Sequence, residues 1–449
     1  MPKIEEENPH QLPFSPIKNY DILRIMQNRY DIAVIGAGAS GLMAAAEASS
    51  RGAKVVVVEK MPIAGKKLFV TGNGRCNITN ISLAKPDIKG IFGGNGVFLN
   101  SAFKQFPFDS VIEFFENNGV KIRKEKDGRM FPVSDKASDV LEMFMNIGEM
   151  NGVKFLYSTP VKKFNMSKDN NKRIISLQTG ESQNDCIEAE QFIMACGGKS
   201  FPVTGSTGDG YQWAKDTGHK ITDIYPALVP IKIKEPWIKK LQGLTLDRVG
   251  IKFLSDGKIL YSSEGSILFT HFGLSGPVIL NSSGIAAKAG SGHEVKIRLN
   301  LINQEKEDYI NEFISDLMAD NSKKTMINML RSILPERAAL ITAEVSGIDI
   351  HKKTAILNKN ERRILKEVLT KFEMTYDGTL GFSQAMATGG GIDLKDVDPA
   401  TMRSKLVENL YFAGEILDLD APTGGFNLHM CWLTGFVAGK SASEAILVR

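Results

Sequence analysis

The sequence predicts an α/β protein whose βαβ-containing domain is split between the two ends of the chain, with a β-rich and a helical module between them. Three observations carry this. Residues 30–59, YDIAVIGAGASGLMAAAEASSRGAKVVVVE, read as strand, glycine turn, helix and second strand. The same logic returns near the end in NLYFAGEILDLDAPTGGFNLHMCWLTGFVAGKSA, a strand, a Gly-rich loop and a helix. The stretch between changes character twice: 227–302 carries short β-like runs, and 304–371 is charged and helix-periodic.

Each part of the first unit has a mechanical purpose. Gly36 allows a tight turn after the apolar strand 32–35, and Gly38 lets backbone N–H groups approach a pyrophosphate. Ala39 and Ser40 open the helix, Gly41 lets it lie against the sheet, and its N-terminus faces phosphate charge. Glu59, with Lys60 beside it, ends the second strand where two carboxylate oxygens can accept from a ribose diol. Small residues at Ala45 and Gly52 fit the same arrangement. A lone G-x-G-x-x-G is weak evidence; with this strand, helix and acid around it, the motif predicts a bound dinucleotide.

Bulk properties narrow the class. The chain has 449 residues, 43% hydrophobic and 24% charged, enough for about two or three domains with their own cores. A net charge of +4 with dispersed basic residues predicts no nucleic-acid partner. Apolar stretches are broken by Gly, Ser or Glu and fall short of a membrane span, so no membrane partner is expected. The head, MPKIEEENPHQLPF, lacks a signal-peptide pattern. Four cysteines (Cys76, Cys186, Cys196, Cys431) show neither disulfide nor zinc spacing, which fits a reducing cytoplasm and no metal.

The chain divides into an extension over 1–29, with a short helix around 20–28, and a first nucleotide-binding part over 30–201. A β-rich insert follows over 202–302, a helical insert over 303–372, and the second nucleotide-binding part over 373–449. Within the first part, 108–118 has helical spacing, Asp127-Gly128 marks a hairpin, and Ser134 or Asp135 caps a helix running to about Met150. Strand-like runs are expected at 153–157, 161–164, 173–177 and 186–195. In the insert they fall at 229–233, 249–253, 266–270 and 294–299.

The tail selects the cofactor. The strand LYFAGE delivers Gly414 and Glu415, and PTGGFN opens a helix whose N-terminus would face a flavin's pyrimidine edge. Five motifs then occur in order: GKKLFVTGNGRCNITN, GRMFPVSDKASDVL, TGSTGDGY, FTHFGLSGP and YFAGEILDLDAPTGGFNLH. Together they resemble the BaiN/YhiN-type flavoproteins, bacterial FAD-containing proteins often labelled NAD(P)/FAD-dependent oxidoreductases or aminoacetone oxidases. The resemblance spans essentially residues 30–449. It implies a glutathione-reductase-type FAD-binding Rossmann domain interrupted by a β-barrel-like module and a small helical module. It further implies that Gly36, Gly38, Ser40 and Gly41 hold the pyrophosphate, and that Glu59 takes the adenosine ribose. Lys66, Arg75, Cys76 and Asn77 would line the flavin side, and Val161 would offer its backbone to adenine. Ala195 and Gly197 would form the turn crossing the cofactor. Gly414, Glu415, Gly425, Phe426 and Asn427 would face the ribityl chain and ring. One departure is His429, where related sequences often carry Gln; the reading turns this imidazole out of the helix, with an effect on the flavin as the alternative.

Hydride chemistry belongs to the flavin, so the protein has to position a small-molecule substrate and tune the ring. His271, in FTHFGLSGP beside Thr270 and Ser275, is the candidate proton donor, with a packed structural histidine as the alternative. Arg75 and Lys66 would neutralise pyrophosphate or stabilise reduced FAD, the former being favoured. Cys76 has no partner at redox spacing. No second G-x-G-x-x-G follows a strand, so NAD(P)H enters only as a transient reductant docking at the flavin. The reading is thus an FAD-dependent oxidoreductase, the alternative a flavin-binding regulatory or tRNA-associated protein. Substrate and oligomeric state stay open.

Overall fold

The computed structural model describes residues 29–167, 172–182, 184–303 and 305–447. Of the expected extension over 1–29, residues 1–28 with the expected short helix lie outside the described residues, and Arg29 already belongs to the first strand.

Strand β1 (Arg29–Ile35) pairs in parallel with β2 (Val55–Val58), Ile32 opposite Val55. The run of four valines is buried along its whole length, as a strand covered on both faces requires. A small sheet comes next: β3 (Thr79–Asn80), β4 (Ile122–Lys124) and β5 (Arg129–Pro132), in the order β3-β5-β4. Asp127-Gly128 makes the β4–β5 turn, Gly128 at φ +85°. The chain then adds β6 (Lys154–Leu156) to the free edge of β2. An antiparallel meander, β7 (Lys163–Met166), β8 (Ile174–Gln178) and β9 (Cys186–Met194), brings β9 back beside β1.

Strand β9 is longer than its neighbour β8. Its first residues pair with β8, and its last three pair in parallel with Leu410–Phe412 near the far end of the chain. The order of the parallel strands therefore reverses between β1 and β9, which opens a crevice at their carboxyl ends. Helix α1 (Ala39–Ser50) leaves β1 there and packs against the C-terminal helix, Phe426–Leu447. A Cβ on Gly435 would lie 2.4 Å from Ser40 O, and one on Gly439 2.4 Å from Ala44 O. The glycines of that long helix let the two backbones meet, and the alanines of α1 are their counterpart.

Residues 225–389 leave the sheet and return to it. Strand β10 (Tyr225–Ala227) carries the chain out. A closed antiparallel barrel follows from β11 (Ile231–Ile233), β12 (Thr245–Ser255), β13 (Lys258–Phe269), β14 (Gly273–Ser275), β15 (Val295–Asn300) and β16 (Phe372–Thr379). Its six strands close in the order β11-β14-β13-β12-β15-β16 around Ile251, Phe253, Ile267, Ile297 and Met374. Helices between β15 and β16 bury a separate cluster that includes Ile314, Met326, Leu330, Ala339 and Leu365. Strand β17 (Ala387–Gly389) returns antiparallel to β10, Tyr225 opposite Gly389, and β18 (Leu410–Phe412) completes the central sheet.

Three expectations shift. β16 belongs to the barrel and not to the returning segment at 373–449, because both its neighbours, β11 and β15, are barrel strands. Helix Asp209–Asp216 buries Tyr211, Trp213 and Ala214 in the core of the nucleotide-binding half, although it follows residue 202. Helix α2 (Ala137–Met150) starts after Lys136 with no side-chain cap. Asp135 sits instead at φ +58°, its two oxygens each accepting from Arg123 Nη2 at 2.7 Å.

The C-terminal helix also corrects the placement of His429. The imidazole is fully buried, stacked 5.4 Å from Phe103, with Nδ1 2.9 Å from Thr79 Oγ1. One turn on, Trp432 donates from Nε1 to Ile78 O at 2.9 Å and packs on Phe115 and Phe144. The amphipathic pattern gave no outer face to this helix, since 429–434 is almost entirely buried. Burial pushes the His429 pKa down to about 3. An unfolded chain restores it to roughly 6.5, so the stability it contributes is complete above that pH and is lost as pH falls toward about 3. One proton difference corresponds to about 1.4 kcal/mol per pH unit. Urea midpoints measured between pH 6.5 and 4 should therefore fall less steeply for His429→Gln than for the parent chain; parallel curves would contradict the assignment.

Candidate functional site

The crevice at the carboxyl ends of β1 and β9 is walled by the glycine turn, Glu59 and Lys60, Ile63, Gly65 to Leu68, Ala195 to Gly197, Thr204 to Thr207, Met386 and Ala387, Glu415 and Asn427. Backbone contacts set its shape. Gly36 is at φ +102°, and a Cβ there would lie 2.6 Å from Ala195 O. A Cβ on Gly41 would lie 1.9 Å from Gly36 O, so α1 can approach the turn only with glycine at this position. Gly38 differs: a Cβ there would meet nothing within 4 Å. The helix it precedes has no side-chain cap, so its first N–H groups point into an open cradle with partial positive charge. This space fits a pyrophosphate.

Glu59 is held ready by the backbone. One oxygen accepts from Ala37 N and the other from Met61 N, each at 2.8 Å. Each carboxylate oxygen keeps further acceptor capacity, which suits a ribose diol. Lys60 turns away from a phosphate position: its Nζ bonds Thr207 Oγ1 and reaches Asp209 Oδ2 at 2.6 Å. The TGSTGDG loop thus folds over this end of the cleft, with Gly205 at φ +102° and Gly208 at φ +84°. Val161, Thr159 and Trp213 complete that end.

At the other end, Glu415 Oε2 accepts from Lys67 Nζ at 2.7 Å, while Oε1 accepts from Ser200 Oγ at 2.6 Å and Thr388 N at 2.7 Å. Asn427 clamps the preceding loop, donating to Ala421 O at 2.7 Å and accepting from Ala421 N at 3.0 Å. Asn281, on α3 (Pro277–Ala289) beside the barrel, accepts from Thr423 N at 2.9 Å and ties the insert to this loop. Cys196 and Cys431 also line the cleft, and burial pushes both thiols up to about 12, away from nucleophilic use.

The structure brings most of the sequence-derived residues to this wall: Gly36, Gly38, Ala39, Ser40, Glu59, Lys60, Lys66, Val161, Ala195, Gly197, Glu415 and Asn427. Ser40 contributes its backbone, since its hydroxyl donates to Ala413 O at 3.3 Å. Gly414 lies behind the wall, where a Cβ would sit 2.3 Å from Ser40 Oγ. Gly425 likewise backs onto Thr79 O, and neither it nor Phe426 lines the cleft.

Four others are placed elsewhere. Arg75 lies over Phe131 at 4.0 Å and pairs with Glu125 at 2.7 Å, satisfied within the small sheet. Cys76 is fully buried at φ +59°, its thiol pushed up to about 12 by burial. Asn77 is buried beside Gly425 with Oδ1 unpartnered. His271 is exposed at the β13–β14 turn, edge-on to Phe272, and lies outside the cleft lining. Sequence reasoning passed over Lys67 for its neighbour Lys66 and left the TGSTGDG loop unassigned. Helical phase in a five-residue helix could not choose between adjacent lysines; the clustered glycines of the loop were the available signal.

The two motif glycines separate binding from folding. Gly38→Ala, at φ −83°, should leave the apoprotein's melting temperature nearly unchanged and weaken FAD binding at least tenfold in a fluorescence titration. Gly41→Ala should lower both, because its new methyl meets a carbonyl oxygen.

Comparison with known proteins agrees with this geometry. The family model described as HI0933-like protein Rossmann domain matches residues 30–441. A 3-dehydro-bile acid delta(4,6)-reductase from Clostridium scindens is 31% identical over 92% of this chain and 99% of its own length. A ribosomal RNA dihydrouridine synthase from Haemophilus influenzae is 30% identical over 92% of this chain and 98% of its own. Among solved structures, a 3-ketosteroid delta1-dehydrogenase from Sterolibacterium denitrificans superposes with a TM-score of 0.50 at 14% identity, covering 93% of this chain and 100% of that one; this likeness is one of fold. The chain belongs to the HI0933-like Rossmann family and is an FAD-dependent oxidoreductase.

Proposed function

We propose that this protein uses FAD to saturate a carbon–carbon double bond conjugated to a carbonyl, with NAD(P)H docking transiently at the flavin as hydride donor. The open cradle at Gly38, continuous with a cleft running from Glu59 to Glu415, is the observation that carries the cofactor assignment. The α1 N-terminus would hold the pyrophosphate, Glu59 the adenosine ribose, and Glu415 and Asn427 the ribityl and ring region. When bound, the flavin supplies hydride transfer. The chain's own residues orient it, and Asn281, on α3 beside the barrel, ties the insert to the loop at Thr423. The two relatives are named as a 3-dehydro-bile acid delta(4,6)-reductase and a ribosomal RNA dihydrouridine synthase, and both names describe adding two hydrogens across a double bond.

Four free cysteines support a reducing cytoplasm as the place of work. Among the described residues no helix is long and apolar enough to cross a membrane. A second reading, RNA uracil as the substrate, is supported by the relative named as a ribosomal RNA dihydrouridine synthase and by a groove on the helical insert lined by Lys359, Arg362, Arg363 and Lys366, the last two paired with Glu367 and Glu307.

The purified protein should be yellow, and NADH or NADPH added without oxygen should bleach it. Colour should then return on adding a conjugated steroid enone; return only with ribosomal RNA, and loss of that response in high salt, would favour the second reading. A yellow protein that neither nicotinamide bleaches contradicts the proposed donor.

A further inference from the structure

Both oxygens of the Glu415 carboxylate already accept from protein groups, Oε1 from two and Oε2 from one, which leaves acceptor capacity on Oε2. Besides the Lys67 ion pair at 2.7 Å, the carboxylate holds Ser200 Oγ and Thr388 N, and Lys67 Nζ also reaches Ser200 Oγ at 2.6 Å. Four segments meet here: the helix Lys66–Val70, the turn after β9, strand β17 and the turn after β18. The pair is shielded without being sealed, with side-chain exposures of 26% for Lys67 and 16% for Glu415, and both residues line the cleft. The Glu415 charge is felt across this region. Burial is the main cause that raises Tyr211, Asp420 and Cys431, and the Glu415 charge adds to each of them; at Cys431 Lys67 opposes it.

Resting on the FAD reading above, we propose that Lys67 sets the redox poise of the bound flavin by cancelling the charge of Glu415. A hydride brings two electrons and one proton, so the ring system that receives it gains one net negative charge. A bare carboxylate in the same cleft wall repels that charge and favours the oxidised form. With Lys67 in place the carboxylate orients hydroxyls through hydrogen bonds and adds little net field. The lysine touches Glu415 and Ser200, which makes it a positioning and field-setting residue.

The test is the midpoint potential of the FAD-bound full-length protein, measured by dye equilibration for the parent, Lys67→Met, Lys67→Arg and the double variant Lys67→Met/Glu415→Gln. Lys67→Met should shift the preference toward oxidised flavin at least tenfold, a fall of about 30 mV for a two-electron couple. Lys67→Arg should stay near the parent, and removing the carboxylate in the double variant should restore most of the loss. An unshifted Lys67→Met, an arginine variant that falls as far, or a double variant that stays low would overturn the proposal. Should Lys67→Met shed FAD, recovery of binding in the double variant supports charge cancellation, and continued loss refutes it. A parent protein that cannot take up FAD at all overturns the underlying reading, and this one with it; a yellow parent with an unshifted variant overturns only the role of Lys67.

Discussion

Everything in this molecule depends on three stretches of backbone meeting at nearly van der Waals distance where β1 ends. The Gly36 carbonyl lies against Gly41, and Gly36 itself lies against the Ala195 carbonyl. On the far side, Ser40 reaches Ala413 at the end of β18. No side chain fits between these segments, so the contact specifies glycine on grounds of space. It also joins residues far apart in the chain: the head supplies the turn and α1, while the tail supplies β18 and the helix that Gly435 and Gly439 press onto α1. The cleft is what remains when these backbones are fixed and Gly38 is left with empty space in front of it.

Much of this was legible because it depends on local chemistry. The βαβ unit announces itself through glycine spacing, valine run and terminal acid, and Glu59 sits where that pattern puts it. The tail was legible for the same reason, and Glu415 and Asn427 reach the cleft wall. The failures share a different cause. Arg75 looks like an anion-binding residue in its motif, yet Glu125 and Asp135 come from a hairpin some fifty to sixty residues away and satisfy it there. His429 sits in a stretch of helix, 429–434, that is buried almost all round, so periodicity had no exposed face to assign to it there. β16 carries no signal that distinguishes a barrel strand from a sheet strand, and only its hydrogen-bonded neighbours decide.

Electrostatics in the cleft follow from burial and pairing. Lys60 and Lys67, at opposite ends, are each claimed by a carboxylate, Asp209 and Glu415. The positive potential available to a pyrophosphate therefore comes from the uncapped N-terminus of α1 and from Lys66 on the cleft wall, and less from these two lysines. The buried thiols, raised by loss of solvent, stay protonated, which leaves redox chemistry to the cofactor.

The pairing of β10 with β17 has a consequence for how such a protein can change. The chain departs at Tyr225 and comes home at Gly389, residues directly opposite each other in one two-stranded ribbon. Barrel and helices together therefore leave and rejoin through one two-stranded ribbon, with the Asn281–Thr423 tie as a further contact, and an exchange of that whole cassette between cousins would need only two splice points a few ångströms apart. Ancestors could trade what they act upon while inheriting the electron-handling machinery intact.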